Sequence, residues 1–118
     1  MIMNKRITFR HMDHSNDMEK YINDQLSKIE RFLENEPTPI YIDFVLEASK
    51  VHAHPRTELR IKTPHYNLVS HYEHEGADMQ GATDHVIDAM YHTLREEKNK
   101  RIDQRKMSGR QDNFKKQR

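Results

Sequence analysis

Two segments of the chain carry apolar residues at three- and four-residue steps, the spacing of side chains on one face of an α-helix. The apolar positions of the first segment are Met18, Ile22, Leu26, Ile29 and Leu33. Those of the second segment are Met79, Ala82, Val86, Met90 and Leu94. Ser15 and Asp78 precede the two segments, where their side-chain oxygens can accept a backbone N–H and cap a helix. The pattern therefore predicts two amphipathic helices.

Before and between these helices, apolar residues alternate with polar ones, as they do in β-strands with one buried face. The alternation predicts strands at about 5–10, 40–47 and 58–62, and a weaker strand at 66–72. Pro37 and Pro39 end the first helix because proline cannot continue one. Short, turn-rich links at 49–55 and 63–65 suit antiparallel hairpins. The predicted fold is an α+β sandwich of order βαβββα, with both helices on one face of a four-stranded sheet.

Length and composition narrow the class of protein. The 118 residues suit one domain and are too few for two of typical size. The chain has no run of about 18 apolar residues, and its first residues lack the apolar core of a secretory signal. The absence of cysteine excludes disulfides, thiolate metal sites and cysteine nucleophiles. We therefore expect no membrane segment and a cytoplasmic location.

Charge is segregated along the chain, although the net charge is only +1. Residues 1–94 hold 10 Lys/Arg and 15 Asp/Glu, a balance of −5, whereas residues 95–118 hold 10 and 4, a balance of +6. This asymmetry indicates a polyanionic partner that meets the C-terminal end. The second helix is expected to run on to about Lys106 and to stop at Ser108 and Gly109. Residues 102–118 are basic and poor in apolar residues, which predicts a disordered tail.

Two motifs resemble the short ribosome hibernation factors, namely the ribosome-associated inhibitor and hibernation-promoting proteins. Residues 26–32, LSKIERF, are similar to that family's Leu-x-Lys-Leu-Glu-Lys-aromatic segment. The second motif matches the family's last helix at Glu75, Gly76, Asp78, Met79, Ala82, Asp84, Ile87, Lys98 and Lys100. With three strand-like runs between them, the motifs cover roughly residues 4–101. The resemblance implies a ribosome-binding domain at 1–101 followed by the tail at 102–118.

The same resemblance implies a function. The protein is expected to bind the small ribosomal subunit, through 16S ribosomal RNA and neighbouring ribosomal proteins, in the channel used by messenger and transfer RNA. It would inhibit translation and stabilise idle ribosomes under stress or in stationary phase, with no cofactor and no small-molecule substrate. The sequence does not distinguish silencing of single ribosomes from pairing of ribosomes.

Cationic and titratable residues on the two helices are the candidate RNA contacts, because phosphate contacts position a protein on RNA. They are Lys20, Lys28, Arg31, His85, His92, Arg95, Lys98, Lys100 and Arg101. Of these, Lys28 and Arg31 fall on basic positions of the family motif, and nearby aromatic residues are expected to stack on bases. The alternative for the first helix is ordinary i,i+4 pairing of Asp24 with Lys20 or Lys28.

The last helix departs from the resemblance at four positions. Ala89 and Glu96 stand where relatives often have lysine, His92 where arginine is common, and Gln80 where tyrosine usually follows Asp-Met. The basic face of this helix is therefore sparser than in the family, and we expect a weaker helical contact.

Two other binding functions stay open. The chain could be a regulatory protein that modulates a transcription or signalling partner through the same surfaces. It could also be a generic double-stranded RNA-binding module, since such domains place helices on one face of a three-stranded sheet and recognise RNA by its shape.

Metal binding and catalysis are poorly supported by the sequence. His85, Asp88 and His92 share a helical face and are ligand types that transition metals accept, but no HExxH or Cys/His spacing is present, and we expect no metal. The chain has three glycines, no glycine-rich phosphate loop and no serine elbow. The pair Asp84 and Asp88 fits a helix surface better than an acid/base dyad. The chain is therefore not expected to be an enzyme.

Overall fold

The chain folds into four strands and two helices in the predicted order βαβββα. The computed structural model describes residues 3–48, 54–74, 76 and 78–117, with side chains described as far as residue 102. The elements are β1 (Met3–Arg10), α1 (Asn16–Phe32), β2 (Ile40–Ala48), β3 (Pro55–Lys62), β4 (Asn67–Glu73) and α2 (Met79–Gln117). The α+β fold class predicted from the sequence is confirmed.

The sheet is mixed, with the strand order β1-β2-β3-β4. β1 and β2 are parallel because α1 lies between them as a crossover, whereas β2–β3 and β3–β4 are antiparallel and joined by short links. The register pairs Ile7 with Phe44 and Phe44 with Leu59. Paired residues point to the same face of a sheet, so these three side chains form one apolar row.

Both helices cover this apolar face. α2 packs on β3 and β4 and lies beside α1, and an ion pair between Lys5 and Glu30 joins β1 to α1. The fully buried side chains that fill the interface are Ile22, Leu26, Ile29, Leu33, Ile40, Ile42, Phe44, Leu46, Leu59, Ile61, Ala82, Val86, Ile87, Met90 and Leu94. Each buried Leu or Ile contributes about 1.5–3 kcal/mol relative to exposure, so this layer holds the helices on the sheet.

The predicted helix caps are confirmed. The Ser15 hydroxyl accepts the Met18 backbone N–H at 3.3 Å, and Asp78 Oδ1 accepts the Gly81 N–H at 2.6 Å. Gly76 adopts a φ of +85°, a conformation that costs glycine little and turns the chain from β4 into α2. Both helix starts are therefore fixed by local side-chain chemistry.

α2 is longer than the sequence predicted. It spans 39 residues, about 58 Å at 1.5 Å per residue, and continues past Ser108 and Gly109, where the sequence predicted its end. A single glycine costs a helix only about 1 kcal/mol, and the Arg, Lys, Gln and Met residues around it favour helix. The division into a domain at 1–101 and a tail at 102–118 stays a prediction. Neither helix, over the residues described, contains an apolar stretch of the length that a membrane span requires.

Candidate nucleic-acid interface

The solvent side of the helix layer is joined by polar contacts between α1 and α2. The Tyr21 hydroxyl donates to Asp84 Oδ1 at 2.6 Å, and Lys28 Nζ donates to Asp88 Oδ1 at 2.6 Å. Because residue numbers rise together along the two helices, α1 and α2 run in the same direction. The carboxyl end of α1 therefore lies beside the middle of α2, where Phe32 meets Tyr91 and Lys98.

The Tyr21–Asp84 hydrogen bond has an electrostatic consequence. The carboxylate accepts a hydrogen bond from the phenol and, together with partial burial, raises the pKa of Tyr21 from 10.0 to about 12. A hydrogen bond to the neutral phenol favours the protonated form, as does the nearby negative charge. Tyr21 therefore stays neutral at physiological pH and links the two helices through this hydrogen bond.

Near the carboxyl end of α1, two aromatic rings and three cations come together. The Phe32 and Tyr91 rings pack edge to face, with centroids 5.8 Å apart and planes at 77°. Lys28 Nζ and Arg95 Cζ lie 5.4 Å and 5.9 Å from the Tyr91 centroid, and Lys98 Nζ lies 5.2 Å from the Phe32 centroid. We call these five residues the basic-aromatic patch.

The patch is suited to a phosphate-bearing partner. The cations lie near the ring faces, whose π electrons attract them electrostatically. Their remaining N–H donors stay available. Among the described residues, Arg95 and Lys98 make no ion pair, whereas Lys28 is paired with Asp88. With the charge of Asp88 counted, the three cations of the patch leave it at +2.

Two other predicted residues, Lys20 and Arg31, are exposed on the solvent side of α1. No ion pair in the described part of the chain involves either of them. The alternative that Asp24 pairs with Lys20 or Lys28 is wrong, because Lys28 reaches across to Asp88 instead. Lys20 and Arg31 can extend the positive surface from the patch along α1.

His85, His92 and Lys100 lie elsewhere on α2. The His85 ring stacks on Tyr72, with centroids 3.9 Å apart, whereas His92 contacts Glu96 at 2.9 Å and Lys100 contacts Glu97 at 3.5 Å. None of the three joins the patch in the described structure. Across the part of the chain described here, no group of three or more His, Asp or Glu residues is arranged to hold a metal ion.

Arg101 is turned toward the protein body. Its Nη1 lies 3.9 Å from Glu36 Oε2, and the two side chains are 27% and 7% exposed. Its Cζ lies 5.5 Å from the centre of the Tyr66 ring, and His65 Nδ1 contacts the same Glu36 oxygen at 3.0 Å. Burial, reinforced by the charge of Glu36, raises the pKa of Tyr66. Arg101 thus anchors α2 to the body, and its proposed contact with RNA stays a prediction.

A family comparison gives this geometry its context. The family model described as Sigma 54 modulation protein / S30EA ribosomal protein matches residues 6–102. The chain belongs to this family. Membership makes the protein a ribosome-associated factor and confirms the relationship indicated by the sequence motifs. The matched residues include every member of the basic-aromatic patch.

Solved structures show the same fold at low sequence identity. The N-terminal domain of Protein Y from Thermus thermophilus matches with a TM-score of 0.63 and 16% identity, over 77% of this chain and 93% of that one. A ribosomal subunit interface protein from Coxiella burnetii matches with a TM-score of 0.67 and 16% identity, over 81% and 98%. No curated protein sequence matches this S30EA family chain.

The candidate RNA contacts named from the sequence did not include the two aromatic members of the patch, Phe32 and Tyr91. Phe32 follows Lys28 by four residues and Tyr91 precedes Arg95 by four, the spacing at which side chains on one helix meet. That spacing was available in the sequence. The contact between the two rings was not, because it depends on how the two helices are aligned.

Proposed function

We propose that the protein binds the small ribosomal subunit through the basic-aromatic patch, in the channel used by messenger and transfer RNA. By occupying that channel it would inhibit translation and stabilise idle ribosomes under stress or in stationary phase. The family match over residues 6–102, which spans the whole patch, is the observation that carries the proposal. The action is steric and electrostatic, so no bond is made or broken and no cofactor or small-molecule substrate is required. Ribosome binding places the protein in the cytoplasm.

Each member of the patch has a chemical role in this proposal. The Arg95 guanidinium can donate two parallel hydrogen bonds to one phosphate, whereas Lys28 and Lys98 act as compact positive charges. The half-buried rings of Phe32 and Tyr91 offer apolar surface to an unpaired base. Further contacts from Lys20, Arg31, His85, His92, Lys100 and Arg101 belong to the same proposal.

The acidic balance of residues 1–94 favours a shaped RNA site over a uniform duplex. A plain duplex presents phosphates on all sides, so the net negative body would be repelled wherever it is not shielded by the patch. A folded ribosomal RNA surface with ribosomal proteins can instead meet the patch and leave the acidic body facing other groups. We therefore expect preference for the small subunit over an RNA duplex of similar length.

Co-sedimentation through a sucrose gradient tests the proposal. The wild-type protein should travel with the small subunit, and transfer RNA should displace it. The double variant Arg95→Ala/Lys98→Ala should be largely lost from the subunit fraction. The double variant Arg10→Ala/Arg56→Ala removes the same charge from the opposite face of the sheet and should bind like the wild type. Equal loss in both variants would show that net charge, not the patch, governs binding.

The same gradient separates the competing functions. Equal affinity for the subunit and for a plain RNA duplex would favour a generic duplex-binding module. Absence of ribosome binding, together with capture of a transcription or signalling protein, would favour a regulatory role, which the words sigma 54 modulation in the family description keep open. The sedimentation position of bound ribosomes also shows whether they stay single or pair.

A further inference from the structure

The face of the sheet opposite the helices carries a second cationic cluster. In register across the four strands, Tyr41 lies between Asn4 and Lys62. The next row of the same face runs Arg6, Asp43, Arg60, Val69. Tyr41 is 46% exposed although it lies on β2, a central strand. The uncovered face therefore presents an aromatic ring surrounded by basic side chains.

The charge on this face changes along the strands. Arg6, Arg60 and Lys62 against Asp43 leave +2 at the Tyr41 end. At the other end, Arg10 and Arg56 face Glu47, Glu58 and Glu73, which leaves −1. The open face is thus positive only around Tyr41.

The cations near Tyr41 are available, whereas Arg56 at the other end is engaged in ion pairs. Arg56 Nε lies 3.0 Å from Glu73 Oε2. Arg6 and Lys62 make no ion pair with any described residue, and Arg60 has one contact of 3.5 Å with Glu58, where both side chains are well exposed. The Tyr41 end can therefore donate to an anion without breaking an existing strong pair.

We propose that the Tyr41 end of the open sheet face is a second RNA-binding site, which takes a single-stranded segment. A base stacks on the Tyr41 ring, and Arg6, Arg60 and Lys62 bind the flanking phosphates. Stacking on aromatic side chains combined with a positive groove is the general chemistry of single-strand binding. The proposal is independent of the basic-aromatic patch, which lies on the other face of the molecule.

Spacing across the sheet fits this arrangement. Register partners on adjacent strands lie about 5 Å apart, and diagonal neighbours about 7–8 Å apart. Lys62 is a direct partner of Tyr41, and Arg6 and Arg60 are diagonal neighbours. All three cations can thus reach phosphates on either side of a base stacked on the ring. Asp43 is the opposing charge in the cluster, and its Oδ1 is buried without a hydrogen-bond partner.

A nucleic acid fits this surface better than a protein does. Tyr41 and Val69 are the large apolar side chains exposed in the described part of the chain, and two such residues do not make the contiguous apolar patch of a typical protein-binding surface. A second copy of the same face would bring positive charge onto positive charge. A polyanion with flat bases satisfies both the charge and the ring.

The experiment uses a single reporter residue. The chain contains no tryptophan, so Tyr41→Trp introduces one at the site itself. Titration with a short oligouridylate should quench its fluorescence saturably. Adding Arg60→Ala/Lys62→Ala should weaken binding at least fivefold and reduce the log–log salt slope by about 1.4, at about 0.7 per lost single-strand contact. Adding Arg10→Ala/Arg56→Ala, the control matched in charge, should change neither. Absence of quenching, or quenching unaffected by the double substitution, would refute the site.

Substitutions in the basic-aromatic patch separate this inference from the proposed function. Arg95→Ala/Lys98→Ala, combined with Tyr41→Trp, should leave quenching intact while it removes the protein from the small subunit. Quenching lost with the helix variant instead would place the oligonucleotide on the basic-aromatic patch and refute a second site without touching ribosome binding. Self-association that Tyr41→Ala abolishes, without any oligonucleotide effect, would show that the face pairs two copies and would also overturn the proposal.

Discussion

Replacing Asp88 with asparagine should strengthen binding to the small subunit. Asp88 Oδ1 lies 2.6 Å from Lys28 Nζ, and the two side chains are 66% and 43% exposed. An exposed pair of this kind contributes only about 0–1 kcal/mol to stability, so the variant should fold normally. The substitution raises the charge of the basic-aromatic patch from +2 to +3 and leaves an amide of the same shape.

The expected gain follows from the geometry of the pair. A phosphate oxygen bound to Lys28 at about 2.8 Å lies at most about 5.4 Å from Asp88 Oδ1, given the 2.6 Å pair distance. Two unit charges at that distance in water repel by about 0.8 kcal/mol, roughly a three- to fourfold change in affinity. Screening with a Debye length of about 8 Å halves this to about 0.4 kcal/mol, or roughly twofold, at physiological ionic strength.

Sedimentation binding isotherms at low and physiological ionic strength measure this gain. Asp13→Asn is the control, because it removes the same charge from the loop before α1. Asp13 precedes α1, and the helix from Asn16 to Lys28 already spans about 18 Å at 1.5 Å per residue. That distance is more than two Debye lengths at physiological ionic strength. The control should bind like the wild type. Unchanged or weaker binding by Asp88→Asn would show that Lys28 does not meet a phosphate, or that it needs Asp88 to hold it in place.

Three further predictions address stability, pH and the extension of α2. Leu26→Asp should unfold the protein in thermal circular dichroism, because a buried unpaired charge costs several kcal/mol, whereas Lys20→Ala should melt like the wild type. Because the pKa of Tyr21 is raised to about 12, the stability that its bond to Asp84 gives is present below pH 10 and lost as pH rises toward 12. Denaturant titrations should therefore show Tyr21→Phe less stable than the wild type at neutral pH, and the gap closing over that range. Truncation after Arg101 should change the melting temperature by less than about 2 °C but reduce the salt slope of ribosome binding by about 0.7–0.9 per lost contact; an unchanged slope would mean that residues 102–118 take no part.

Features set by local chemistry were predictable from the sequence. Ser15 and Asp78 cap their helices as expected, and the alternation at 40–47 yields a strand with one buried face. The end of α2 was not predictable in this way. Ser108 and Gly109 are a common stop signal, but helix propensity is a weak preference that flanking residues can outweigh.

Features that join distant elements were harder to predict. Asp24 was the alternative partner expected for Lys28, which instead meets Asp88 on the other helix; the contact of Lys28 with RNA stays a prediction. Periodicity gives the face of each helix but not the alignment of one helix against the other. Arg101 is an intermediate case. It follows Leu94 by seven residues, so the apolar stripe itself indicates an inward position. Its positive charge led instead to its assignment as an RNA contact.

The reach of α2 beyond the Glu36–Arg101 contact determines how the protein meets a partner. The molecule extends 65 Å along its longest axis, and the α2 backbone leads away from the acidic body over residues 95–117, a segment with 9 Lys/Arg and 4 Asp/Glu. The separation of the basic extension from the acidic body gives the molecule a large permanent dipole moment. Near a polyanion it exerts a torque that turns the α2 extension forward before any contact forms, which raises the fraction of productive encounters. The association rate should therefore fall with ionic strength more steeply than a net charge of +1 suggests.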